Sequence, residues 1–228
     1  MALFAISDLH LDLNGEKPMD VFGDNWYKHE EKIKKNWMEM VKEEDTVLIA
    51  GDISWSMNID EGIKDLDFID ELPGRKIMIK GNHDYWWTSI SKLNKLHENM
   101  NFIQNNFYTY EDYAICGTRG WTCPGGEKYT NHDEKIYIRE QIRLKLSLDE
   151  AVKAGYKKYI VMLHYPPTNA KFEDSGFTEI IKNYKVEKVI YGHLHGQILP
   201  WVLQGERENT EYIMTACDFI DFNPVKII

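Results

Sequence analysis

Five short polar motifs in this chain each follow an apolar, strand-like run, and that repetition restricts the fold more than any other feature. Asp8-x-His10 follows Leu3–Ser7, and Gly51-Asp52 follows Thr46–Ala50. Gly81-Asn82-His83-Asp84 follows Lys76–Lys80, His164 follows Tyr159–Leu163, and Gly192-His193-x-His195 follows Lys188–Tyr191. In open α/β sheets, ligands bind in the crevice outside the carboxyl ends of the strands. Five metal-competent clusters at five such ends therefore point to one shared site.

Two further runs, Tyr113–Gly117 and Tyr212–Ala216, have the same strand character. Several of the seven are nearly continuous in apolar residues, as strands covered on both faces are. Helical spacing fills the intervals. Ile33, Trp37, Met40 and Val41 predict a helix over roughly residues 27–43. Ile59, Ile63, Leu66 and Ile69 predict a second, ended by Pro73-Gly74. A longer helix is expected near residues 133–154, starting around Asp133, stopping at Gly155, with Ile138, Ile142 and Leu146 on one side. Alternating strands and helices give the α/β class. There is no repeat or low-complexity linker, so one domain is expected over residues 1–228. Two irregular stretches, residues 12–26 and 118–132, fall on the expected site side and read as functional loops.

The chain has 228 residues, 43% hydrophobic, with a formal net charge of −10, so no general basic face exists to neutralise phosphates. A long nucleic acid or an anionic membrane surface is therefore excluded as a partner. A phosphorylated small molecule is not, because a bound metal dominates its local field. Cys116, Cys123 and Cys217 are odd in number and lack metal spacing, which suits a reducing compartment. No stretch reaches the length of a membrane span, and the first strand leaves no room for a signal peptide. A cytoplasmic location is the expectation.

Asp8, His10, Asp52, Asn82, His164, His193 and His195 offer oxygen and imidazole nitrogen without thiolate. That mixture suits Mn, Fe or Zn better than calcium. Seven side chains exceed a tetrahedral zinc site but suffice for two divalent ions if one carboxylate bridges. Asp52, behind Gly51 in a strand-end turn, is the natural bridge. Two such ions, two carboxylates and a bridging hydroxide leave about +1, a floor suited to phosphate. Paired ions acidify the bridging water and clamp phosphoryl oxygens during in-line attack. His83 is then the catalytic imidazole, aimed at the leaving group, with Asp84 either orienting it or capping the following helix.

The ordered set Asp-x-His, Gly-Asp, Gly-Asn-His-Asp, His and Gly-His-x-His, from Asp8 to His195, resembles the calcineurin-like metallophosphoesterase superfamily. The resemblance spans most of the chain and points to a small bacterial phosphodiesterase or phosphohydrolase member. It implies a four-layer αββα sandwich of two mixed β-sheets with a dinuclear centre. It places Asp8, His10, Asp52 and His195 on one ion, Asp52, Asn82, His164 and His193 on the other, and makes His83 the catalytic histidine. Gly51-Asp52 continues as Ile53-Ser54-Trp55, unlike the Asp-Arg-Gly pattern of the serine/threonine phosphatases. Asp8-Leu9-His10-Leu11 is similar to hydrolases of a UDP-sugar pyrophosphate, but those have Gly-Asn-Arg-Asp where His83 stands here.

The expectation is thus a metal-dependent phosphoric ester hydrolase, with a phosphodiester or phosphoanhydride favoured over a monoester. The alternative is a catalytically silent scaffold of the same fold that binds a protein partner, which loss of ligands would favour; none is lost. His29, His97 and His132 read as ordinary polar groups. Trp55, Trp86, Trp87 and Trp121 flank motifs or the Pro124-Gly125-Gly126 loop, as packing or as a wall beside the metals. Arg119 offers a fork for a phosphate or a structural ion pair and stays outside the catalytic set.

Overall fold

Along each central strand, successive side chains enter two different buried environments. Leu3, Ala5, Leu48, Ala50 and Ile77 share one apolar cluster with Ile115, Ile160, Met162, Ile190 and Ile213. Their neighbours Phe4, Ile6, Val47, Ile49 and Met78 join Ile33, Trp37, Leu66 and Ile69 in a second. Ala114, Cys116, Val161, Leu163, Val189 and Tyr191 join Leu144, Leu148, Phe177 and Ile181 in a third. Side chains alternate across a strand, so the three clusters are the three interfaces of a four-layer arrangement, helices outside and two sheets inside. The computed structural model describes residues 1–15, 17–126, 128–196 and 202–228.

The first sheet is built from β1 (Leu3–Ile6), β2 (Thr46–Ile49), β3 (Arg75–Met78), β4 (Met100–Phe102) and β11 (Val225–Lys226), in the order β11-β1-β2-β3-β4. The second contains β5 (Tyr108–Tyr110), β6 (Tyr113–Thr118), β7 (Lys158–Leu163), β8 (Lys188–Tyr191), β9 (Gly205–Arg207) and β10 (Thr210–Met214), in the order β5-β6-β7-β8-β10-β9. Both are mixed: β11, β5 and β9 pair antiparallel, and the remaining neighbours run parallel. The helices α1 (His29–Met40), α2 (Ile59–Asp70) and α3 (Ile90–Leu93) serve the first sheet, and α4 (Asn131–Lys153) and α5 (Gly176–Tyr184) the second. The expected αββα sandwich of two mixed sheets is the architecture found.

Register brings the polar motifs level. Ile6 of β1 pairs with Ile49 of β2, which pairs with Met78 of β3, so the motifs that follow leave the sheet edge together. In the second sheet Met162 is level with Ile190, and Tyr191 with Met214. The sheets are joined at this edge. Ser7 forms a parallel bridge with Ala216, its N–H donating to Thr215 O at 2.8 Å while its own carbonyl accepts from Cys217 at 3.1 Å.

The expected helix near 133–154 begins earlier. Thr130 caps α4 through a reciprocal box with Asp133, which satisfies two of the free N–H groups of the first turn. Its orientation corrects the hydrophobic pattern. Ile138, Ile142 and Leu146 do share one side, but it is the exposed one, whereas Tyr137, Glu140, Leu144, Ser147, Leu148 and Ala151 face the sheet. The buried side includes two polar residues whose partners lie across the layer. Ser147 Oγ donates to Asn106 O at 2.6 Å and accepts from Gly117 N at 3.1 Å. Glu140 accepts from Thr118 Oγ1 at 2.5 Å. Leu144→Ala should therefore cost roughly 2–5 kcal/mol in urea unfolding, whereas Ile142→Ala should stay within about 0.5 kcal/mol; the reverse order would mean that α4 is rotated.

Candidate metal centre

Each sequence-predicted ligand sits just beyond the carboxyl end of a parallel strand, and four of them stand on unusual backbone. Asp8, His10, Asp52 and His193 have φ values of 57°, 46°, 50° and 72°. Residues with a Cβ seldom occupy this left-handed region, and such conformations persist where the surroundings over-determine them, typically at functional sites. Here the surroundings are two loops zipped together. Asp8 N donates to Gly51 O at 2.9 Å, His10 N to Asp52 O at 3.0 Å, and Leu11 N to Ile53 O at 3.0 Å. From the other sheet, Gly192 N donates to His164 O at 3.1 Å.

Two glycines let the remaining loops approach. A Cβ on Gly81 would collide with the backbone and carboxylate of Asp52, and one on Gly192 would collide with the Asp8 carboxylate and Ser7. Neither needs a positive φ; both are needed for space. The approach delivers amide donors to the acids: His83 N to Asp52 Oδ1 at 2.8 Å, and His193 N to Asp8 at 3.0 and 3.2 Å.

Two groups of donor atoms result. Asp8, His10 and His195 form one, and Asp52, His164 and His193 the other, with the ligand atoms of each within 4.8 Å of one another. His10 Nε2 lies 3.9 Å from Asp8 and 3.8 Å from Asp52, so it stands between the two acids without bonding either. Asn82 Oδ1 is 2.8 Å from His164 Nε2, which is itself 3.3 Å from Asp52. The outer nitrogens are already engaged. His164 Nδ1–H donates to Ala50 O at 3.0 Å, and His195 Nδ1–H donates to Asp218 at 2.8 Å. Each bond fixes the tautomer that turns Nε2 inward, as in metal-bound imidazoles. His10 Nδ1 is buried with no hydrogen-bond partner, and all donors are nitrogen or oxygen. The residues fit divalent transition ions.

Electrostatics agree. Burial opposes ionisation of Asp8, but hydrogen bonding and charge from His195 and His164 hold it at about 2. Asp52 is likewise held well below the ordinary carboxylate range, against burial, by His164 and His10. The same pull raises His164 to about 9 and His195 to about 10 despite burial, with Asp52 acting on the first, and Asp218 and Asp8 on the second. Burial keeps His10 and His193 neutral, at about 4 and 3. Below pH 9 the metal-free protein thus carries protons on His164 and His195, and a metal must displace them. Loading with Mn²⁺ at pH 7 should release about two protons per chain, and affinity should rise with pH up to about 10, less steeply above 9; a weakly buffered titration with a pH indicator measures both.

His83 takes no place in either donor group. Its side chain is 35% exposed, its Nε2 is 4.0 Å from Asp52 Oδ2, and its ring lies against Trp55 at 4.2 Å. Asp84 does not orient it. The Asp84 carboxylate accepts from Gly81 N at 2.7 Å, Ile53 N at 2.8 Å, Ser54 N at 3.1 Å and the Trp86 indole at 3.0 Å. It is wholly buried, and burial together with the Asp52 charge raises it to about 6 against the three amide bonds. It ties the Gly81 loop to the Asp52 loop. Nor does it cap a neighbouring helix, since the next helix, α3, begins only at Ile90.

A cleft of about 380 Å³ opens on this floor, walled by Met19, Phe22, Trp26 and Trp55. Trp55 stacks on His10 at 4.9 Å and donates its indole N–H to Met19 Sδ at 3.1 Å. Residues 12–26 thus do reach the site. Trp86 packs in the core, Trp121 leans on Tyr165 at 4.9 Å, and Trp87 faces another pocket. Asp218 and Trp26 escaped sequence reading. The signal for Asp218 was present, a carboxylate just past the strand-like run Tyr212–Ala216; Trp26 had none. His29, read as an ordinary polar group, buttresses the first motif, its Nε2–H donating to Leu9 O at 3.0 Å.

The family model for calcineurin-like phosphoesterases matches residues 1–197. The chain belongs to that family. Similar solved structures include the protein of unknown function AQ665 from Aquifex aeolicus, with 19% identity, 99% of this chain and 95% of that one covered, and a TM-score of 0.53. Phosphopantetheinyl hydrolase from Mycobacterium tuberculosis follows at 15% identity, 94% and 88% coverage and a TM-score of 0.58. TT1561 of Thermus thermophilus reaches a TM-score of 0.60 at 12% identity, with 98% and 96% covered. At these identities the likeness is one of fold. Gene 66 protein of Mycobacterium phage L5 is 38% identical over 78 residues, which is 34% of this chain and only 37% of that protein. Among the described residues no helix is long and apolar enough to cross a membrane.

Because Asp218 sets the tautomer of His195, Asp218→Ala should weaken metal binding by about 10–100-fold. Competition with a chromogenic chelator would show it, and unchanged affinity would remove Asp218 from the support of the site.

Proposed function

We propose that this protein is a dinuclear metal-dependent phosphoric ester hydrolase acting on a phosphodiester or phosphoanhydride in preference to a monoester. One observation carries the reading: the two donor groups meet across Asp8 and Asp52 while His83 stays free beside them, open to the cleft. Asp8, His10, Asp52 and His195 would hold one ion, and Asp52, Asn82, His164 and His193 the other, with Asp52 as bridge. When bound, the ions would acidify water and neutralise phosphoryl oxygens.

The rest is the work of the chain. The amides of His83 and His193 hold the two carboxylates in place, so little reorganises as charge develops. Burial lowers the pKa of His83, so the free ring is uncharged at neutral pH; a bound phosphate anion would raise that pKa, so that the ring takes up a proton from solvent as substrate binds and can pass it to the leaving oxygen. Trp55 holds that ring from one side. The aromatic and thioether wall offers an apolar berth for an organic group beyond the phosphorus, which supports an ester or anhydride with a substantial leaving group. A fold neighbour bearing the name phosphopantetheinyl hydrolase is compatible with that class.

Metal-stripped protein should be inactive on paired chromogenic monoester and diester substrates and recover with Mn²⁺, turning over the diester faster. Asp52→Asn should lose both metal and turnover. His83→Ala should keep its metal content and lose about 10²–10⁴-fold in kcat. Metal lost with His83 would count against its role; no turnover on either substrate with metals bound would narrow the substrate to a phosphoanhydride, and inactivity on a pyrophosphate as well would favour a scaffold.

A further inference from the structure

A second pocket, of about 250 Å³, shares no residue with the metal cleft. It lies where β6 ends and α4 passes. Lys80, Arg119, Arg139 and Arg143 line it around one carboxylate, Glu140. Glu140 is fully buried and fully engaged: it accepts from Thr118 Oγ1 at 2.5 Å, from Arg143 Nη1 at 3.0 Å and from Arg139 Nε at 3.3 Å, and lies 3.9 Å from Arg119 Nη2. Asp84 adds a second negative charge near Lys80, but its oxygens are taken by the four donors described above. Four cations against these two acids are out of balance, in a chain whose net charge is −10.

An ion-pair network that only tied α4 to β6 would leave its donors satisfied. This one does not. Arg119 Nε is buried without any hydrogen-bond partner. Its guanidinium is otherwise held by packing over the Trp121 ring at 4.6 Å. A guanidinium has five N–H donors, and Arg139 and Arg143 each commit one nitrogen, to Glu140. Among the described residues Lys80 makes no side-chain hydrogen bond or ion pair. Glu140 therefore acts as a hub that pre-positions the arginines while leaving most of their donors pointing elsewhere. Clustered, pre-positioned guanidinium groups bind the oxygens of a phosphate group or a carboxylate in forked pairs, and the excess of cations here favours a dianionic phosphate over a singly charged carboxylate.

We propose that this pocket is a second, metal-independent site for a phosphate group, either free inorganic phosphate or the terminal phosphate of a small organic molecule. The pocket stands apart from the metal centre, with no lining residue in common. It lies at the same end of the sandwich, however. Lys80 immediately precedes Gly81-Asn82, and the Arg119 carbonyl accepts the His164 and Tyr165 N–H groups at 2.9 and 3.0 Å.

Calorimetric titration of the metal-loaded protein with inorganic phosphate tests it. The wild type should show two sites per chain. The double variant Arg139→Gln/Arg143→Gln, on half-exposed positions of α4, should keep its metals and lose one site, its affinity there falling at least about tenfold. Arg143→Lys, which keeps the charge but not the fork, should fall between. Asp52→Asn should keep the site that the double variant loses. A parallel titration with propyl phosphate separates the sources: equal affinity assigns the pocket to free phosphate, and affinity about tenfold tighter assigns it to a carried one. A double variant that folds, by circular dichroism, and binds phosphate with wild-type stoichiometry and affinity would overturn the proposal. So would a wild type with a single site abolished by Asp52→Asn.

Discussion

Two buried carboxylates, Asp8 and Asp52, are the constraint around which the rest is arranged. Neither is more than 2% exposed, and each raises the cost of ionising the other. Like charges in a low-dielectric interior are tolerated only when cations or directed dipoles face them. The fold supplies both. Amide N–H groups, from loops that glycines allow to come close, face the carboxylates, and four imidazoles complete the ring. The left-handed backbone at Asp8, His10, Asp52 and His193 is a consequence: a relaxed strand end would point these side chains away from one another. The seam between the sheets at Ser7 and Ala216 is what opposes that relaxation.

The sequence carried the parts of this arrangement that repeat or alternate. All seven apolar runs are strands, Lys188–Tyr191 with the same bounds and the other six displaced by one or two residues at one or both ends, and the ligand motifs follow them as expected. The strands that escaped notice, β4, β5, β9 and β11, are two or three residues long, too short for a period to register. Helix α5 offered two signals that went unread in so short a segment: Phe177, Ile180 and Ile181 at i, i+3, i+4 face the core, and Ser175 Oγ accepts from the first-turn backbone while Thr178 Oγ1 accepts from Ser175 N. The rotation of α4 was illegible for a different reason. Its buried face includes Glu140 and Ser147, whose burial is favourable only because Thr118, Asn106 and Gly117 wait across the layer. A hydrophobic count cannot see partners that distant in sequence.

The same limit separates the ligands from their supports. Ligand identity is written in residue type and local spacing, so it can be read one motif at a time. Support is written in contacts such as His195 with Asp218, His164 with the Ala50 carbonyl, or Asp84 with Gly81, Ile53 and Ser54. Asp84 is instructive. Adjacent to a histidine, it reads as an orienting carboxylate, yet the turn sends its side chain inward, where three amides and an indole hold it away from the ring one residue before.

Net charge describes this molecule poorly at the distance where chemistry occurs. At physiological ionic strength a charge is screened over about 8 Å, so a phosphate approaching the surface responds first to whichever few groups it nears. Averaged over the chain, acidic groups outnumber basic ones, 37 to 27. At the two pockets the balance differs: one gathers two candidate metal-ligand clusters, and the other holds four side-chain cations around a fully engaged carboxylate. On the proposals above, an acidic exterior with locally positive recesses would disfavour polyanions, which must lie across many surface groups at once, while leaving a small phosphate compound two places to settle. On the function proposed above, discrimination between a long nucleic acid and a small phosphate ester would need no dedicated gate. It follows from the length scale of screening compared with the width of a pocket.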